Sequence, residues 1–127
     1  MATDLVIEVD NEPGALARVA AAISDAGVNI AAATFTGASA RAELHILVPH
    51  PEPVRHALAL THQTVITHER EVVVVEIDDD RPGVLADLTR EIAEAGVNLD
   101  LVYVATHNRV VLGSPDIDRL RSVLGQA

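Results

Sequence analysis

Two short polar loops carry the residues whose chemistry is easiest to read. In the first, Asn11 stands two positions before a Pro13-Gly14 pair, and in the second Asp80 stands two positions before Pro82-Gly83. Each pair is followed by apolar residues at helical spacing, so each loop sits at a helix start. Unpaired N–H groups and a partial positive charge there can receive a carboxylate. A carboxamide such as that of Asn11 offers both a donor and acceptors, and a carboxylate such as Asp80 accepts from an ammonium group. Gly14 and Gly83 let a ligand come close to the backbone. Together these groups suit reversible binding of a small zwitterion, for which so few heavy atoms imply dissociation constants of roughly micromolar to millimolar. The same pieces also serve a helix start with no ligand. Asp10 and Glu12 beside Asn11, and Asp78 and Asp79 beside Asp80, oppose an incoming carboxylate.

Other chemistries find less support. The triplet Asp78 to Asp80 could offer oxygens to Ca²⁺ or Mg²⁺, but it lacks the spaced ligands of an EF-hand and reads better as a solvated turn. Of the histidines, His45, His50, His56, His62, His68 and His107, only His56 and His62 fall where they could share a neighbourhood, and none has HExxH or comparable spacing. Ser24, Ser39, Ser114 and Ser122 lie in no nucleophile-elbow context, and with no Lys and no Cys in the chain there is no phosphate-loop lysine and no thiolate. No metal, no cofactor and no catalysis are expected.

Composition narrows the partners. Nineteen acidic against nine basic side chains give a net charge of −10, which repels phosphate backbones and anionic lipid, so no nucleic-acid or membrane partner is expected. Hydrophobic residues reach 49% while aromatics are 2%, so the core must be aliphatic and pockets lined by stacking rings are not expected. No apolar run approaches the roughly 20 residues of a membrane span, and the first residues, MATDLVIEVD, lack a basic segment followed by an apolar one. The expected location is the cytoplasm.

The elements that position the loops occur twice. NEPGALARVAAAISDAGVNI, residues 11–30, matches DRPGVLADLTREIAEAGVNL, residues 80–99, at nine of twenty positions with a constant offset of 69 (82 − 13). An ungapped match of this kind is a duplication, and the unit has the size of a small domain. In the first copy Leu5, Ile7 and Val9 alternate as a half-buried strand, and Leu16, Val19, Ala20 and Ile23 follow as the inner stripe of a helix. Pro13 and Gly14 are placed in the first helical turn and Gly27 just past the helix end. Residues 28–35 read as a second strand, 37–40 as a hairpin turn, 41–48 as a third strand with Leu44, Ile46 and Val48 on one face, then a short helix with Val54, Ala57 and Leu58 inside, and 64–69 as a fourth strand.

The order β-α-β-β-α-β is that of a ferredoxin-like unit, an antiparallel sheet with both helices on one face. The second copy repeats it with a strand at 71–77, a helix with Leu85, Leu88 and Ile92 inside and an Arg90–Glu94 pair outside, a strand at 98–106, a strand at 109–115 and a helix around 117–124. It has no counterpart of the fourth strand. The expected domains are 1–70 and 71–127, α+β, the second lacking its last strand, which would leave residues 72–75 on an apolar edge to be covered by the first domain or a second subunit.

A strand ending in a polar loop, then Pro-Gly, an amphipathic helix, and Gly-Val-Asn leading into another strand resembles the ACT domain, over residues 4–69 and most of 71–124. The resemblance implies a small regulatory module that pairs with others of its kind and binds an amino acid where modules meet. It places ligand contacts at Asn11, Pro13, Gly14, Ala15, Asn29 and Ile30 in the first copy, and at Asp80, Pro82, Gly83, Val84, Asn98 and Leu99 in the second. The histidine that serine-sensing members hold two residues before the loop Asn is Val9 in one copy and Asp78 in the other. Asn29 and Asn98 equally suit a turn between a glycine and a strand. The expected function is a non-catalytic sensor of an amino acid at domain or subunit interfaces, a homodimer or larger, with an enzyme as a possible partner. The alternative is a scaffolding subunit with empty sites that recruits a metabolic enzyme through its sheet edges.

Overall fold

The computed structural model describes residues 2–61, 64–77 and 81–125. The chain separates into two compact units, Met1–Arg70 and Glu71–Ala127. The first contains β1 (Thr3–Asp10), α1 (Ala15–Asp25), β2 (Ala32–Gly37), β3 (Arg41–Val48), α2 (Pro51–Ala59) and β4 (Thr64–Glu71), with its sheet in the order β2-β3-β1-β4. β1 and β2 both pair antiparallel with β3.

The β1–β3 register sets Leu5 opposite Ile46, Ile7 opposite Leu44 and Val9 opposite Ala42. Strand side chains alternate between faces, so this register turns one apolar set toward the helices. Those residues form a single core with Ala15, Val19 and Ile23 of α1 and Val54 and Leu58 of α2, which places both helices on that face. Burying each large aliphatic side chain contributes about 1.5–3 kcal/mol, so this cluster supplies most of the unit's hydrophobic stabilisation. α2 is also tied to β4, where Arg55 Nε and Nη2 donate to Glu69 Oε2 and Oε1 at 2.8 and 3.0 Å.

The second unit contains β5 (Val73–Glu76), α3 (Val84–Glu94), β6 (Leu101–Ala105), β7 (Arg109–Gly113) and α4 (Ile117–Val123), with a three-stranded antiparallel sheet in the order β5-β7-β6. Val73, Ile92, Val110, Leu112 and Leu120 are the heart of its core. As the sequence leads one to expect, the sheet has three strands and β5 is an outer one. Arg119 donates twice to the Ala95 carbonyl at the end of α3, and Asp116 accepts from the Arg119 N–H to cap α4. α1 and α3 end alike: Gly27 and Gly96, at φ 76° and 75°, let Val28 N–H reach the Ile23 carbonyl and Val97 N–H the Ile92 carbonyl. Left-handed backbone of this kind costs a residue with a Cβ about 1–2 kcal/mol.

Several expectations shift. The second strand of each copy begins later, at Ala32 and Leu101, because Val28, Ile30, Val97 and Leu99 pack on the cores while the chain crosses from helix to sheet edge. Ladder pairing starts only where Ala32 comes opposite Leu47 and Leu101 opposite Gly113. β4 runs to Glu71 rather than Glu69. Leu16 and Leu85, expected inside, are 42% and 47% exposed, because the buried stripe of α1 runs through Ala15, Val19 and Ile23, and that of α3 passes through Ile92. Arg90 pairs with Asp87 one turn back rather than with Glu94.

Candidate functional site

Pro13 and Gly14 precede α1 rather than forming its first turn. Gly14 has φ 87° and ψ −8°, and the Ala15 N–H donates to the Glu12 carbonyl at 3.2 Å, which is the geometry of a type II turn with Pro second and Gly third. Pro82-Gly83 repeats it, with Gly83 at φ 94° and Val84 N–H on the Arg81 carbonyl at 3.4 Å. Only glycine takes this conformation without strain, so the duplicated Pro-Gly pair is accounted for by the turn. Helical bonding resumes with Arg18 N–H on Gly14 O and Asp87 N–H on Gly83 O. The first-turn N–H groups of Leu16 and Ala17 are left outside the helical ladder.

Asn11 is held by the β2–β3 hairpin. Its backbone N–H donates to the Ala40 carbonyl at 2.9 Å and its Nδ2 to the Ser39 carbonyl at 2.8 Å. The carboxamide lies over Gly37, where a β-carbon would stand 2.7 Å from Oδ1 and 2.8 Å from Cγ. The hairpin residues 37–40 were legible in the sequence as a turn, but nothing local linked them to Asn11.

Arg41 answers the acidity of the loop. Its Nε lies 2.9 Å from Glu8 Oε1, its Nη1 2.6 Å from Asp10 Oδ1, and its Nη2 donates to the Glu8 carbonyl. Hydrogen bonding to Glu8, then to Asp10, holds the guanidinium pKa above its ordinary value. Glu12 is paired in turn with Arg18 at 2.9 Å. Both carboxylates flanking Asn11 therefore carry a cationic partner, which removes the chief electrostatic objection to an anion at this loop. Glu8, Thr36, Ser39, Arg41 and Glu43 line a shallow cleft of about 470 Å³ beside it.

Asn11 and Asn29 do not meet within the unit. Asn11 follows the end of β1 that pairs with Arg41, whereas Asn29 precedes the end of β2 that pairs with Leu47. The eleven residues of α1 separate them by about 15 Å along the helix axis. Asn29 is exposed and Ile30 packs on the core. The second unit has the same plan: Pro82, Gly83 and Val84 stand at the start of α3, while Asn98, exposed, and Leu99, on the core, stand at its far end. Asp80, with Asp78 and Asp79, lies outside the described residues, as does His62.

Among the described residues no cluster of three His, Asp or Glu side chains is arranged to hold a metal ion. His45 instead bridges Asp4 and Glu43, with Nδ1 and Nε2 each 3.0 Å from a carboxylate oxygen. Ser39 and Ser114 place their hydroxyls on nearby backbone at Arg41 and Asp116, setting turns. No described helix is long and apolar enough to cross a membrane.

Comparison with known proteins agrees with this architecture. The sequence matches the family described as ACT domain over residues 3–65 and again over 67–122. No curated protein matches it. Among solved structures, a protein of Bacteroides thetaiotaomicron superposes with a TM-score of 0.84 at 23% identity, covering 97% of this chain and 85% of that one. The aspartokinase alpha and beta subunits give 0.72 at 16%, covering 97% and 85%. The ligand-free regulatory subunit of aspartate kinase from Thermus thermophilus gives 0.63 at 17%, covering 98% and 90%. These likenesses concern the fold. With two successive matches spanning nearly its whole length, each coinciding with one ferredoxin-like unit, the chain belongs to the ACT domain family.

Proposed function

We propose that the chain is a regulatory binder of an amino acid, without catalysis of its own, whose site is completed where first units of two copies meet. The observation that carries this reading is the placement of Asn11 and Asn29 at opposite ends of α1. A two-fold axis across α1 exchanges the ends, bringing the Asn11 loop of one copy to the Asn29 turn of the other. The first-turn N–H groups of α1 would receive the α-carboxylate, and carboxamide oxygens would accept from the ammonium group.

A ligand that bridges two copies shifts the assembly by its differential affinity for the paired state, and that shift is the regulatory signal. The likeness to the regulatory subunit of aspartate kinase supports an enzyme as recipient, held in the cytoplasm, where such an acidic chain avoids nucleic acid. The second unit offers Pro82, Gly83, Val84, Asn98 and Leu99 in the same plan, with Asp80 as its loop residue.

Complementation tests the shared site. Asn11→Ala and Asn29→Ala proteins each lack one half of every site, but a mixed dimer regains one intact site. Stabilisation by an amino acid in a thermal-shift screen should be present in the parent, lost in each variant and partly restored on mixing. A flat response of the parent to every amino acid, with an enzyme co-purifying, would instead favour the scaffolding role.

A further inference from the structure

We infer that Gly37 and the Ser39 carbonyl are positioning elements that fix the polarity of Asn11, so that this loop presents a hydrogen-bond acceptor and takes the ammonium end of its ligand. The inference deepens the proposed amino-acid site and rests on it. At 2.8 Å from a carbonyl oxygen only the NH₂ half of a carboxamide is tolerated, because two oxygens at that distance repel. One N–H of Nδ2 is therefore spent on Ser39, which fixes which half of the carboxamide is NH₂ and leaves Oδ1 as the acceptor it offers a ligand. The backbone N–H of Asn11 is likewise occupied by Ala40. An acceptor at this point suits an ammonium group and disfavours the keto-acid counterpart of the same ligand, which has no donor to offer it.

Gly37 makes the arrangement possible. A β-carbon there would overlap the Asn11 carboxamide at 2.7–2.8 Å, while its own φ is not among the left-handed ones. Its glycine identity thus answers a close approach rather than a backbone strain, and the atoms met are the end of a short movable side chain.

The test uses Gly37→Ala, Asn11→Ala and the double variant of the full chain. In the ¹⁵N spectrum without ligand, the two Asn11 side-chain amide protons should be inequivalent in the parent, one shifted by its bond to the Ser39 carbonyl, and in Gly37→Ala that shift should be lost while the backbone pattern of both units persists. Unchanged amide signals would overturn the positioning role whatever the protein binds. Each standard L-amino acid, and the 2-keto acid matching any that stabilises the parent, is then titrated. Affinity should fall about tenfold or more in Gly37→Ala and in Asn11→Ala, with no further loss in the double variant, and the 2-keto acid should bind at least tenfold more weakly than its amino acid. Additive losses, or equal binding of the 2-keto acid, would overturn the inference. If no amino acid binds the parent, the proposed function falls and the assignment of an ammonium subsite falls with it, while the amide signals still decide the role of Gly37.

Discussion

Arg41 Nη1 lies 2.6 Å from Asp10 Oδ1, and the same guanidinium reaches Glu8, so one cation at the head of β3 compensates two carboxylates at the end of β1. Replacing Arg41 by Gln should lower the melting temperature by leaving Glu8, Asp10 and the cross-strand Glu43 with unbalanced charge. The loss should shrink in roughly 1 M salt, where the screening length is about 3 Å. Melting curves of parent and variant across salt concentration check it; a salt-independent difference would point to packing instead.

A second pair governs acid behaviour. Hydrogen bonding from Arg55 holds the Glu69 carboxyl below its ordinary value of 4.5. A depressed folded-state pKa means the stabilisation is present above the unfolded value and fades as pH falls through the lower folded one. The stability gap between parent and Glu69→Gln should therefore be constant near neutrality and close below about pH 4. Urea unfolding at stepped pH reads this directly.

Gly14→Ala and Gly83→Ala should each cost about 1–2 kcal/mol, since both positions hold φ near 90°. Gly37→Ala has no such backbone term, so its unfolding midpoint should fall less than either. Denaturant midpoints at unchanged slope compare all three variants.

Core position should separate from surface position sharply. Ile46 is fully buried between the helices and β1, so Ile46→Ala should cost about 2–5 kcal/mol. Leu60 is 83% exposed, and Leu60→Ser should stay within about 0.5 kcal/mol of the parent. Paired urea titrations test the contrast.

Much of the fold was legible along the chain because its signals are local. Period-two alternation in Leu5, Ile7 and Val9, the glycine stops at Gly27 and Gly96, and the 69-residue repeat predict the strands, helix ends and duplication that the structure displays. The Pro-Gly pairs were legible as punctuation but not as type II turns, since proline at a helix's first position and proline in a turn before it share a sequence signature. Leu16 and Leu85 misled for a related reason. A helical stripe read from spacing is broader than the strip a neighbouring sheet can cover.

The candidate site divides along the same line. By itself the sequence determined an aliphatic α+β chain with two related loops, each opening on a helix start, because composition, periodicity and turn residues act over a few positions. Only tertiary structure decided that Asn11 leans on a hairpin twenty-eight residues away, that Arg41 balances the acids beside it, and that Asn29 lies at the far end of the helix. Such relations depend on strand register and on the direction in which a helix runs back across a sheet, and neither quantity is carried by any local stretch of residues.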